Sequence, residues 1–278
     1  EFYKKAKERG IKPIIGCEVY VAQERMDQKR PNIDDKRYHL VLLAKNEEGY
    51  KNLVKLITKA HLEGFYYKPR IDNKLLAKHS KGLIAMTACL AGRIPRLIVA
   101  KKFEEAEKLA QKYQEIFGKD NFYLELQHHP NTREQKIVND ELISISKKYG
   151  IPLVATNDTH YLKPEDTEAQ DVLMLINTGA NPNDSERLTI KADDFSLRTQ
   201  KEMEEAFKDI PEAIENTQKI AELCNFEFEL GKTKLPYFEV PNGKTPDEYL
   251  KELCKQGLKR RFKDNLNKEI TDSNAKFI

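Results

Sequence analysis

The chain has 278 residues, of which 33% are charged and 39% apolar, enough apolar content for one large core, or for one domain and a piece of another. No run approaches the apolar length that spans a bilayer and no secretory leader is visible, so a membrane-spanning or exported protein is not expected. The formal charge of +3 does not by itself indicate nucleic-acid binding, and the four cysteines (Cys17, Cys89, Cys224 and Cys254) lack CxxC spacing, which suits a reducing, cytoplasmic setting.

Glu1 to Arg9 reads as the end of a helix. The β-branched run from Lys12 to Ala22 reads as a buried strand, followed by a charged loop to Lys36. Arg37 to Ala44 is a second core strand. Asn46 is placed to cap a helix through Ala60, with Leu53, Val54, Leu56 and Ile57 on one side. Leu83 to Thr87 is a third strand, ending at Ala88-Cys89-Leu90. Helices are expected over 92–100 and 103–117, a strand over Phe122 to Gln127, and a long helix from Thr132 to Tyr149 that stops at Gly150.

Ile151 to Tyr161 follows, a short apolar strand (152–156) running into Asp158-Thr159-His160. In extended backbone, residues two apart point to the same side, so this pair would aim a carboxylate and an imidazole at one point. A hard oxygen donor and a borderline nitrogen donor at a strand end suit a catalytic metal; the alternative is a helix-capping Asp158 and a surface His160. Glu165 to Asn177 is helical, Asn181 to Asp194 is a polar excursion, and Phe195 to Thr199 reads as a short strand. Two more helices follow, over 200–208 and 211–224. The alternation of strands and helices argues for an α/β fold with a mainly parallel sheet. A Pro-, Gly- and Lys-rich break over 231–244 reads as a linker, and 246–262 as a helix of the next segment.

If the strand ends share one face, their polar residues share a site. Glu18 is costly in an apolar strand unless paired or solvated at an edge. His39 opens a core strand, as a ligand or as a core histidine bonded to a carbonyl. Cys89 follows a strand end, as a ligand or as a small buried hydrophobe. With Asp158 and His160 these suit a multi-metal hydrolase acting on a phosphoryl group. His128 and His129 follow the strand over Phe122 to Gln127; adjacent residues point to opposite sides, so either one of the two reaches the same face as a ligand or both lie in a surface turn, while His61 and His79 are expected in solvent. Gly64-Phe65-Tyr66-Tyr67-Lys68-Pro69-Arg70 combines aromatics with cations: either it stacks a base and holds a phosphate through Lys68 and Arg70, or it is a packed loop with a basic rim.

Gly16-Cys17-Glu18-Val19-Tyr20-Val21, Tyr38-His39-Leu40, Gly64 to Arg70, Thr87-Ala88-Cys89-Leu90-Ala91-Gly92 and Asn157-Asp158-Thr159-His160-Tyr161, in this order, resemble the PHP (polymerase and histidinol phosphatase) domain of the bacterial C-family replicative DNA polymerases. Ala169-Gln170-Asp171, Phe195-Ser196-Leu197-Arg198 and Leu235-Pro236-Tyr237-Phe238 extend the resemblance, which covers nearly all of 1–262. It implies a distorted seven-stranded β/α barrel of TIM-like type, incomplete at the N-terminus here. It implies a PHP domain over 1–231, a linker over 232–245 and the start of the polymerase palm region over 246–278. Glu18, His39, Cys89, Asp158 and His160 match family metal ligands, with Asp158 and His160 central to catalysis. Several family ligands belong to strands before Glu1, so the site is expected to be half present. The family also implies Zn, Mn or Fe in the PHP site and Mg for polymerisation. It further implies DNA, a sliding clamp and a proofreading subunit as partners, and a phosphoesterase capacity of 3′→5′ exonuclease type. A catalytically silent scaffold and a free-standing phosphatase are the competing expectations. The tail from Asp272 to Ile278 does not continue the family's helix.

Overall fold

The computed structural model describes residues 1–233 and 235–262. The expectation for the tail after Phe262 lies outside these residues. The chain divides into two compact units, Glu1–Phe228 and a second that starts at Glu229.

The first unit is built on strands β1 (Gly16–Ala22), β2 (Arg37–Ala44), β3 (Arg70–Ile71), β4 (Leu83–Met86), β5 (Phe122–Gln127) and β6 (Leu153–Thr156). They form one open sheet of order β3-β1-β2-β4-β5-β6. β2 runs antiparallel to both its neighbours, β1 and β4, whereas β1 and β3, β4 and β5, and β5 and β6 pair in parallel. The sheet is therefore mixed rather than mainly parallel. Its reversal follows from the connection between β1 and β2, which holds no helix and so cannot make the crossover that a parallel pair requires.

Helices α1 (Phe2–Glu8), α2 (Glu47–Leu62), α3 (Asn73–Lys78), α4 (Arg93–Val99), α5 (Phe103–Phe117), α6 (Arg133–Tyr149), α7 (Thr167–Thr178), α8 (Gln200–Ala206) and α9 (Pro211–Leu223) alternate with the strands. Caps set several boundaries. The Asn46 side chain accepts from Gly49 N–H and starts α2, and Asp72 accepts from Leu75 N–H and starts α3. Gly150, in the left-handed conformation, ends α6. β3 and α3 are absent from the sequence reading: a two-residue strand carries no periodicity, although Asp72 ahead of Leu75-Leu76 was a readable capping signal. Conversely, Phe195–Thr199 is not a strand. It meets Tyr161 only through a single bridge at Ser196, and the first strand begins at Gly16, not Lys12.

Alternation of side chains across the sheet gives two apolar layers. Val19, Val21, Leu40, Leu42, Leu83, Phe122, Leu124 and Leu126 pack with Leu53, Leu56, Ile94, Ile98, Leu109 and Leu142 in the larger one. Ile84, Met86, Tyr123 and Val154 point the other way, into a small layer with Ile220 and Cys224. Strand register then fixes who shares that second face. Glu18 is opposite Val41, Val41 opposite Met86, Met86 opposite Tyr123, and Glu125 opposite Val154. Counting by twos along each strand adds His39 and Thr156 to the same face. The small apolar layer thus gives way, towards the strand ends, to a polar end that carries Glu18, His39, Glu125 and Thr156.

The second unit contains a turn at Pro241–Gly243 and helix α10 (Pro246–Phe262), whose start is marked by the Thr245 hydroxyl and the Glu248 carboxylate bonding each other's backbone N–H. Among the described residues no helix is long and apolar enough to cross a membrane.

Candidate metal site and its surroundings

Glu18 and His39 lie diagonally across the β1–β2 pair, and His39 Nδ1 is 2.8 Å from Glu18 Oε1. The segment after β4 folds back onto the start of β2: His39 N–H donates to Ala91 O at 3.1 Å. This return brings Cys89 Sγ to 3.7 Å from the same imidazole nitrogen. The turn is tight. Ala88 has φ +61°, and a Cβ on Gly92 would lie 2.1 Å from Thr87 O, so only glycine closes it. Burial works against an imidazolium at His39, but hydrogen bonding with Cys89 and Glu18, and the Glu18 charge, push its pKa up to about 10.

Asp158 and His160 stand at the end of β6. Asp158 is left-handed, with φ +47°, so the pair is not extended as alternation alone would have it. His160 Nδ1 meets the Asp158 carbonyl oxygen at 2.7 Å, and the nearer carboxylate oxygen only at 4.0 Å. The Asp158 carboxyl is raised above the usual carboxylate range by burial, eased by His160, raised further by Glu18 and eased by His39. Asp158 therefore feels the charges of the other group as well as its own neighbour.

The five candidates thus lie in two groups at one end of the sheet, Glu18–His39–Cys89 and Asp158–His160. Their carboxylate, imidazole and thiol donors match the chemistry of a borderline divalent metal. Among the described residues, however, no three histidine, cysteine or acidic side chains are drawn together as a metal-holding group. The donor types fit; the present arrangement is not a closed cage.

Two further residues matter here: Glu125, which the sequence did not single out, and His129. Glu125, on the same face, is only 5% exposed. It accepts from Ala88 N–H at 2.8 Å and from the Thr156 hydroxyl at 2.5 Å, so one carboxylate ties the Cys89 turn to the end of the Asp158 strand. Burial, partly offset by Thr156, raises its pKa to about 7. The signal was the same as for Glu18, a carboxylate inside an apolar strand. His129, expected as a ligand or in a surface turn, is buried and stacks on Phe195 at 4.1 Å between ring centroids, and Phe195 in turn meets His160 edge-on at 5.5 Å. Neither ring nitrogen of His129 has a hydrogen-bond partner, and burial pushes its pKa down to about 4.

Lys68 is exposed, but Arg70 is wholly buried. The Arg70 guanidinium donates to the carbonyls of Gly64 (3.2 Å), Met26 (3.0 Å), Gln28 (2.8 Å) and Asp34, and lies over the Tyr66 ring. The expectation that Arg70 holds a phosphate is corrected on this geometry: its donors are spent on backbone oxygens, which would otherwise be buried unpaired.

Residues 1–129 match the family model described as the PHP domain. The chain is 48% identical over 98% of its length to a DNA polymerase III subunit alpha of Borreliella burgdorferi. Proteins of the same name from Treponema pallidum and Thermus aquaticus are 43% identical over 94% and 96% of the chain. The chain spans about a quarter of the length of these relatives: 24%, 22% and 22%. Residues 1–129 thus resemble the PHP domain, and nearly all of the chain is similar to a segment of the DNA polymerase III alpha subunits.

Proposed function

We propose that this chain is the PHP region of a DNA polymerase III alpha subunit, and that the whole protein carries out DNA-directed DNA synthesis, using Mg for nucleotidyl transfer, in the cytoplasm. The observation that supports this most is identity of 38–48% along 94–100% of the chain to proteins bearing that one name. In this reading 1–231 is the PHP domain, 232–245 a linker and 246–278 the entry to the palm region. The partners would be DNA, a sliding clamp and a proofreading subunit. Completion of the sheet to a seven-stranded barrel belongs to the same proposal.

Within that protein we assign a metal-dependent phosphoesterase capacity, of 3′→5′ exonuclease type, to the polar end of the sheet. Zn, Mn or Fe would be held by Glu18, His39 and Cys89 on one side and by Asp158 and His160 on the other. Such an ion supplies an activated water and charge stabilisation at a phosphoryl oxygen. The residues themselves do the positioning. Glu18 orients the His39 ring, Glu125 holds the Cys89 turn against the Asp158 strand, and Phe195 fixes the face of His160. The supporting observation is that Asp158 responds to Glu18 and His39 across the gap between the two groups. The test is metal uptake by the purified chain. Cobalt should give a thiolate charge-transfer band that disappears in Cys89→Ser; uptake without that band would remove Cys89 from the ligand set.

A second reading, a PHP domain that braces the polymerase without hydrolysis, is favoured by the Glu18–His39 contact, which satisfies both charges with no ion between them. The same cobalt titration separates the two, because a brace takes up no metal at His39.

A further inference from the structure

Beside Glu18 and His39 the surface carries aromatic rings and cations that the metal reading does not use. Phe65 and Tyr67 are 49% and 67% exposed, and Lys68 and Arg37 are exposed with them. The loop that presents these rings is held rigid from beneath. Arg70 ties it to four carbonyls and underlies Tyr66, whose ring centroid is 4.6 Å from that of Tyr67. Gly64 passes so close to the chain that a Cβ there would lie 1.9 Å from Arg70 O. Tyr67 sits at φ +57°, a left-handed conformation that is unfavourable for a bulky residue and persists only where the surroundings enforce it.

This loop adjoins the candidate site. Tyr20 pairs with Arg70 on one side and with His39 on the other. Its ring is 5.3 Å from the His39 ring, and the Arg37 guanidinium lies 5.4 Å from its centroid. Tyr20, with Arg37 over its ring, thus lies between His39 and Arg70, the last residue of the loop.

We propose that Phe65, Tyr67 and Lys68, with Arg37 and Tyr20, form a stacking platform for single-stranded DNA that leads towards His39 and Glu18. Every base has a π face, so rings held at fixed positions bind a single strand with little sequence preference, while neighbouring cations meet its phosphates. Charge selects this occupant over an apolar protein surface, against which Lys68 and Arg37 would have to be desolvated. The inference deepens the nucleic-acid reading above, but does not depend on hydrolysis or on a metal.

The test is fluorescence anisotropy of a labelled oligothymidylate with the complete chain, in the presence of a chelator. Tyr67→Ala combined with Phe65→Ala should weaken binding about tenfold or more. Lys68→Ala should flatten the slope of log affinity against log salt by about 0.7, the loss of one single-strand phosphate contact. All three side chains are exposed, so the variants should keep the wild-type melting temperature, which is measured alongside. Absence of oligothymidylate binding by the wild-type chain, or binding unchanged in the double variant, would overturn the platform. Because no metal is present, such a failure is distinct from a failure of the phosphoesterase reading.

Discussion

His39 Nδ1 lies 2.8 Å from Glu18 Oε1 and 3.7 Å from Cys89 Sγ, and these two contacts together raise the pKa of the imidazole. In the metal-free chain the His39 imidazole should titrate near pH 10, and Glu18→Gln should move it down towards the ordinary value near 6.5, as read by NMR titration of the ring. The stability linked to His39 has a definite sign. Its folded pKa is raised, so the contribution is fully present below about pH 6.5 and is lost as pH rises through about 10. An unshifted imidazole in Glu18→Gln would show that Glu18 is not the cause.

Glu125 has linkage of the same sign in a lower pH window. Its carboxyl is favoured protonated in the folded chain, with a pKa near 7 against an ordinary 4.5. Its contribution is present below the ordinary value and lost as pH rises through about 7. Glu125→Gln keeps an oxygen for Ala88 N–H and removes the buried charge. The variant should therefore match or exceed wild-type melting temperature at pH 8, with a flatter pH profile between 5 and 8. A variant that melts well below wild type at pH 8 would show that the charge itself is needed.

Arg70→Met removes the donors of four backbone carbonyls, two of them in buried contacts and two in partly buried ones. Leaving them unpaired should cost about 3 kcal/mol or more in denaturant unfolding. Arg70→Lys should recover only part of this, because an ammonium has three donors and no planar fork. Full stability in Arg70→Met would remove the buttressing role assigned to it.

His129→Phe preserves the stack on Phe195 and replaces two unpartnered ring nitrogens with carbon. The expected change is within about 1 kcal/mol of wild type, in either direction, by chemical denaturation. A loss of several kcal/mol would mean that the imidazole nitrogens are engaged.

Most of the longer helices and the strands with apolar runs were legible in the residues, because each signal is local. The reversed direction of β2 was missed, although the helix-free connection from β1 to β2 carries it. Arg70 illustrates the limit of local signals at the site. Beside Lys68 and two tyrosines it has the composition of a phosphate contact, yet the carbonyls of Met26, Gln28 and Asp34 claim its donors, and nothing local announces them. The burial of His129 was not legible because the ring that covers it, Phe195, comes from a distant segment. Cys89 and His39 were each readable as candidates, but their approach to 3.7 Å needed the tight turn at Gly92.

The central claim is that the polar end of this sheet gives a replicative polymerase subunit a metal-dependent phosphoesterase. The most direct test is degradation of 3′-labelled single-stranded DNA by the full-length subunit carrying this chain, stripped of metal and reloaded with Mn or Zn. The account predicts loss of label from the 3′ end, abolished by Asp158→Ala together with His160→Ala while polymerisation continues. Undiminished degradation in the double variant, or none in the wild-type protein, would contradict it.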